Sequence, residues 1–293
     1  MIRKFKVWFV LFTMLVISLI LGIVTIFFIM NNTNAQAHHR TFIFVALLLV
    51  LVFISSILLS SFAVKPVKKA WQRQLDFTAD ASHELRSPLA VIKSNLEIVL
   101  DNPDSMVKDQ EKWLNNIQNE TDRMSKLVDD LLTLSRADSN IIELQMAELP
   151  LNIIIEERIS AFHSLAEAHG ISIECNVPSD IILYGDQNRI MQLFTILLDN
   201  SIKYMGRPGT IRIEASYSSK HVMILFSDNG IGIPEEDIHK VFTRFYRVDK
   251  ARSRNHGGSG LGLAIAKWIV EVHHGKITLI SGTDKGVMYK ILI

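Results

Sequence analysis

The sequence predicts a multi-domain chain made of two transmembrane helices, an antiparallel helical hairpin and a C-terminal domain of mixed helix and strand. Three observations carry this reading. Two long uncharged apolar runs occupy the first quarter of the chain, two heptad-like seams separated by a breaker cluster follow, and beyond about Glu148 helix-period stripes mix with short alternating strands. A length of 293 residues leaves room for two or three units. The formal charge of +1 argues against a nucleic-acid partner, because phosphate-backbone binders carry a basic excess. One cysteine, Cys175, has no mate for an internal disulfide and reads as an inert half-buried thiol on a strand.

The apolar runs come first. Val7 to Met30 and Thr41 to Val64 are each long enough, as a helix, to cross a hydrocarbon core of about 30 Å. Arg3, Lys4 and Lys6 flank the first run, and Lys65, Lys68, Lys69 and Arg73 follow the second, which places both ends in the cytoplasm. A cleaved signal peptide ending near Ala35-Gln36-Ala37 is the rival reading, disfavoured because the apolar run exceeds a usual h-region. Asn31 to Arg40 is too short to fold as an external domain, and His38 and His39 read as part of a solvated loop.

Next is the hairpin. Leu85, Leu89, Ile92, Leu96 and Val99 recur at spacings of four and three, and Trp113, Ile117, Met124, Leu127, Leu131 and Leu134 repeat the pattern. Asp101-Asn102-Pro103-Asp104 between them is a turn. A lone hairpin buries such a seam only in part, so two copies are expected to pair as a four-helix bundle. His83 lies about 200° around the helix from Leu85 and is expected to be exposed, with a bend one turn later at Pro88.

In the C-terminal region, four strings occur in order. DQNRIMQLFTILLDNSIKY begins with an N-cap, Asp186, and carries Asn200, Lys203 and Tyr204 at its end. SDNGIGIP ends a strand at Asp228, where Gly230 and Gly232 allow close backbone approach. VFTRFYRVDK sets Phe242 and Phe245 beside Arg244 and Arg247. GGSGLGLAIAK holds Gly258, Gly260, Leu261 and Gly262 in a glycine-rich loop entering a helix, an arrangement that presents free N–H groups to an anion. Arg252 to His256 reads as a lid segment, and His273-His274-Gly275 as a helix end.

FTADASHELRSPL, Phe77 to Leu89, resembles the phosphoacceptor box of the HisKA class of sensor histidine kinases of two-component systems. The four strings together resemble the ATP-binding domain shared by histidine kinases and gyrase-type ATPases. The resemblance implies a dimeric four-helix bundle followed by an α/β sandwich, and an ATP-dependent protein-histidine kinase. By it, His83 accepts the phosphoryl group, Glu84 is its base, and Ser87 stands where the family orients water for phosphatase activity. It further assigns Asn200 to Mg²⁺, with Lys203, Tyr204, Asp228, Gly230, Gly232, Arg244, Arg247, Gly258, Gly260, Leu261 and Gly262 to ATP. Ile196 departs from the family, which often has a second asparagine there.

The expected domains are 1–64 for the membrane region, 65–140 for the phosphotransfer hairpin and 146–293 for the ATP-binding domain. The expected partners are a second copy of the chain, a cognate response regulator, the lipid bilayer and a membrane sensor or transporter, as in short-loop, intramembrane-sensing kinases. The expected location is the cell membrane, multi-pass, with the kinase domains cytoplasmic. A non-catalytic membrane adaptor that retains the fold is the alternative. A gyrase-like ATPase is disfavoured by the phosphoacceptor hairpin.

Overall fold

The computed structural model describes residues 15–26, 30, 35–138, 142–218, 221–248, 258–282 and 285–293, without the side chains of 35–42, 55–64, 66 and 73. Met1–Ala79 and Asp80–Ile293 form two compact units. The first contains a helical run at 15–26 and the opening part of helix α1 (Ala35–Leu100). Among the described residues no helix is long and apolar enough to cross a membrane.

This corrects the expectation of transmembrane helices at 7–30 and 41–64, and with it the multi-pass membrane location and the short-loop type. Residues 7–14 and 27–29 lie outside the described residues, and the described part of the first run, 15–26, is shorter than the roughly 20 residues that a span requires. The second apolar run opens a single helix of 66 residues whose later course is polar and charged, and the described side chains of that run are those at 43–54. His38 and His39 fall within α1 and not in a loop, while 31–34 and the lid segment Arg252 to His256 lie outside the described residues.

In the second unit, α1 continues unbroken through Pro88 to Leu100, and α2 (Glu111–Asp138) returns alongside it. Their antiparallel sense follows from paired contacts. The Asn116 side-chain amide donates to Asn95 Oδ1 at 3.3 Å, and Gln110 Nε2 donates to the carbonyls of Val99 at 3.2 Å and Asn102 at 2.7 Å. Asn95 is buried and donates back to the Val91 carbonyl. On the seam, Leu127 and Leu134 are buried, whereas Leu89 and Leu96 stay 56% and 45% exposed.

The rest of the unit is a two-layer sandwich. Strand β1 (Met146–Pro150) pairs antiparallel with β3 (Ile182–Asp186) as a small separate sheet. The main sheet has the order β2-β4-β5-β7-β6, from β2 (Ile171–Asn176), β4 (Gly209–Ser218), β5 (His221–Asp228), β6 (Lys276–Ser281) and β7 (Val287–Leu292). Only β2 and β4 run parallel. Ile211, Ile213, Val222, Ile224, Phe226, Tyr289 and Ile291 alternate along three adjacent strands and are buried, so one face of the sheet is the core face. Phe226 and Tyr289, opposite each other in the β5–β7 register, meet edge-on with ring centroids 6.2 Å apart. Cys175 sits near the end of edge strand β2 and is exposed, not half-buried as expected.

Three helices form the second layer: α3 (Leu151–Ala168), α4 (Gln187–Tyr204) and α5 (Gly262–Val272). Helix α4 supplies Ile190, Leu193, Phe194, Leu197 and Leu198 to the core, all fully buried, which is the stripe its spacing predicts. Asp186 caps it: Oδ1 accepts the Arg189 N–H at 3.1 Å and Oδ2 accepts the Gln145 N–H at 2.9 Å. The buried His273 locks α5 to this corner. Its Nδ1–H donates to the Ile269 carbonyl at 2.7 Å and its Nε2 accepts the Asp186 N–H at 2.9 Å, an arrangement that requires the neutral ring.

Candidate functional site

A cavity of about 730 Å³ opens between α4, the ends of β5 and β7, the glycine loop and helix α2 of the hairpin. That volume suits a nucleotide-sized ligand. Asp228 lines the cavity at the end of β5, where the strand finishes and the chain turns at Asn229-Gly230. One carboxylate oxygen accepts from Ser201 Oγ at 2.6 Å and the other from the Gly230 N–H at 3.0 Å, with a further bond from the backbone of Val287. Burial pushes the Asp228 carboxyl up, and these three donors offset part of the effect. The cradle is close-packed as well as polar. Gly286 has φ +73°, and a methyl group there would meet the Asp228 carbonyl at 2.0 Å.

The glycine loop approaches from the other side. Gly258, Gly260 and Gly262 line the cavity, while Leu261 is fully buried and anchors the loop beneath. The Gly260 carbonyl accepts the Phe245 N–H at 2.9 Å. Both residues take positive φ, +72° and +59°. For phenylalanine that conformation is strained by about 1–3 kcal/mol, held here because Phe242 and Phe245 pack against the core. Tyr246 then donates its hydroxyl to Asp237, which also pairs with Lys240, and so the following residue, Arg247, is aimed into the cavity.

Helix α4 contributes Ile196, Asn200, Lys203 and Tyr204 to the lining. Asn200 Nδ2 is buried without a hydrogen-bond partner. Lys203 Nζ lies 2.8 Å from Asp199 Oδ2, and Lys126 of the hairpin reaches the same oxygen at 3.3 Å. Gly232 also lines the cavity, and a methyl group on it would meet the Gly282 carbonyl at 1.9 Å. Gly230 lies just outside, with the Tyr204 carbonyl 2.7 Å from where its Cβ would be.

The hairpin forms the remaining wall through Glu84, Pro88, Asp122, Arg123, Lys126, Leu127 and Asp130. Glu84 Oε2 and Arg247 Nη2 are 2.7 Å apart, and the arginine side chain is only 8% exposed. His83 and Ser87 are exposed and lie off the cavity lining. Arg244, expected beside the nucleotide, instead makes a two-pronged ion pair with Asp138 at the end of α2, at 2.6 and 2.8 Å. Its guanidinium geometry matches a carboxylate as well as a phosphate, so the residue type alone does not distinguish the two.

These residues fit Mg-ATP. A buried carboxylate with one face open to the cavity suits an exocyclic amine. The buried Asn200 amide nitrogen, a donor short of a partner, suits a phosphate oxygen, and the side-chain oxygen of the same residue is the atom that would serve Mg²⁺, which keeps waters and needs few protein ligands when phosphates supply the others. Free N–H groups of the glycine loop at the start of α5 suit an anion.

Sequence patterning passed over Ser201, Lys126 and Asp130. Ser201 adjoins Asn200 and was within reach as a polar residue on a buried helical stripe. Asp130 and Lys126 lie on a helix far away in sequence. Burial raises the Asp130 carboxyl to about 6, partly offset by Lys126 and a hydrogen bond from Ser259 of the glycine loop.

Two families match this chain: "His Kinase A (phospho-acceptor) domain" over residues 73–140, and "Histidine kinase-, DNA gyrase B-, and HSP90-like ATPase" over residues 185–293. Among curated proteins it is 39% identical over 211 residues to the signal transduction histidine-protein kinase BaeS of Escherichia coli K12, covering 72% of this chain and 44% of that protein. It is 35% identical over 260 residues to the sensor protein CiaH of Streptococcus pneumoniae, covering 88% of this chain and 58% of the relative. The chain thus spans about half the length of the curated relatives it matches. Among solved structures, histidine kinase ThkA in complex with response regulator protein TrrA aligns with a TM-score of 0.62 at 26% identity, covering 77% of this chain and 63% of that one. The chain thus carries, in order, a histidine kinase phospho-acceptor domain and a histidine kinase-type ATPase domain, which together take up more than half of its residues, and it is similar across both to histidine kinases.

Proposed function

We propose that this chain phosphorylates its own His83 from Mg-ATP and passes the phosphoryl group to an aspartate of a response regulator, working as a homodimer. The observation that carries the reading is the position of Glu84: the residue next to His83 lines the same cavity whose inner end is Asp228. Asp228 holds the adenine, while Lys203, Asn200 and the glycine loop hold the phosphates. Mg-ATP supplies the phosphoryl group. His83 attacks the terminal phosphorus in line through one ring nitrogen, forming the P–N bond as ADP departs, and Glu84 takes the proton from the other nitrogen. For that step Glu84 leaves Arg247, whose guanidinium is then available to the phosphates. Ser87, one turn beyond His83 and exposed, is the residue to orient water in the reverse hydrolysis of the phosphorylated regulator.

Support for the partners comes from two sources. Leu89 and Leu96 of the seam, and Leu132 of α2, are exposed apolar side chains that a second hairpin would cover. A kinase of similar architecture has been solved with a response regulator protein.

The test is incubation of the full chain with Mg-ATP carrying labelled γ-phosphate, beside His83→Gln. Label that is acid-labile, alkali-stable and absent from the variant is expected. ATP binding without label on the protein would replace this reading with a non-catalytic adaptor, and label released as free phosphate would point to an ATPase.

A further inference from the structure

Helix α2 is the second helix of the hairpin and does not carry His83, yet it supplies much of one cavity wall. Asp122, Lys126 and Asp130 are spaced by four residues and form one stripe along it, and all three line the cavity. The contacts of Lys126 are unusual in their charge balance. Its ammonium and that of Lys203 share a single oxygen, Asp199 Oδ2, at 3.3 and 2.8 Å. One carboxylate thus serves two cations that repel each other, beside Asn200, whose buried amide nitrogen has no partner.

Glu84 is committed to Arg247 and Arg123 to Glu120. Asp130, one turn along α2, lies within reach of both Lys126 and Ser259. The Lys126 side chain is itself 64% exposed, so its pair with Asp199 is worth little, and the long stem is free to exchange partners.

We propose that Lys126 is a phosphate-binding residue that the hairpin contributes to the nucleotide pocket, where it contacts the terminal phosphate and so discriminates ATP from ADP. This rests on the kinase reading. Transfer to His83 requires the terminal phosphoryl group to face the hairpin. A cation that stands on the hairpin and inside the same pocket therefore meets that phosphate and not the inner two. Lys203, on the ATP-binding domain, stays with the inner phosphates, and Asp199 holds both ammoniums in place until the anion arrives. Hairpin docking and triphosphate binding become one event, because a single charged ligand bridges the two sides.

The experiment uses the full chain, as wild type, Lys126→Gln, Lys126→Arg and Asp199→Asn, with calorimetric binding of Mg-AMP-PNP and Mg-ADP and, in parallel, labelling of His83. Loss of one charge-assisted contact predicts that Lys126→Gln weakens AMP-PNP about tenfold or more while ADP changes by less than about twofold. Lys126→Arg restores the preference, and Asp199→Asn retains it, since the lysine keeps its charge. Equal weakening of both nucleotides by Lys126→Gln would show that the lysine only ties the hairpin to the ATP-binding domain, and no change in either would show that it does not touch nucleotide. Both results overturn the proposal. A wild-type chain that prefers AMP-PNP through Lys126 but never labels His83 would sink the kinase reading and leave this contact standing.

Discussion

Arg247 and Glu84 join the ATP-binding domain to the phosphoacceptor helix through an ion pair of 2.7 Å, with the arginine almost fully buried. The residue proposed as the base of the reaction is thus held by a residue proposed to meet the phosphates. Arg247 Nε has no partner of its own, so the guanidinium has spare capacity for an anion.

Glu84→Gln is expected to lower the rate of His83 labelling by about two orders of magnitude or more, in line with the loss of a general base. Nucleotide affinity in the same variant should change little. Single-turnover labelling at saturating ATP measures the first, and a titration without turnover measures the second. An unchanged labelling rate would remove Glu84 from the mechanism.

Asp228→Asn should weaken ATP binding by about 10- to 100-fold, the value of a hydrogen bond to a charged group. Ser201→Ala removes one neutral donor from the same carboxylate, at 2.6 Å, and is expected to weaken binding by about tenfold or less. If the serine change proves the more damaging of the two, the adenine end of the site has been misplaced.

Gly286→Ala forces a side chain into left-handed backbone and onto the Asp228 carbonyl, 2.0 Å from the new methyl group. Destabilisation on the order of 2 kcal/mol or more is expected, with ATP binding falling in step. Gly282→Ala, whose new methyl group meets only the flexible Lys285 side chain, is the matched control and should melt close to wild type. Thermal melts of the two variants decide it.

Asp130 carries a pH signature. Burial raises its carboxyl from 3.8 to about 6, so the folded chain keeps this proton to a higher pH than the unfolded one. Between those values the folded state binds more protons, and this group's contribution therefore declines as pH rises from about 4 to about 6 and is level above. Asp130→Asn removes the effect. The melting temperature of the variant relative to wild type should be higher at about pH 7 than at about pH 4.5. The opposite slope would mean that Lys126 and Ser259 outweigh burial at this carboxyl.

Local pattern made much of this legible. The α4 stripe from Ile190 to Leu198, its cap at Asp186 and the strand that ends at Asp228 are properties of a few consecutive residues, and periodicity or a glycine reveals them. The same reasoning had no way to foresee the pairing of Arg244 with Asp138, 106 residues away in sequence, because a guanidinium suits a carboxylate and a phosphate equally. It also overreached at the N-terminus, where apolar composition alone stood in for a membrane-crossing helix.

By itself the sequence determined the helical hairpin with His83 on its exposed face, and the ordered set of strings that builds the ATP-binding domain, because spacing and turn chemistry act over one or two turns of chain. Tertiary structure alone decided that Glu84 meets Arg247, that Lys126 and Lys203 share Asp199, and that His273 pins α5 to the start of α4. Those contacts join residues brought together by packing of the core, and no local pattern records which side chain will be waiting on the opposite surface.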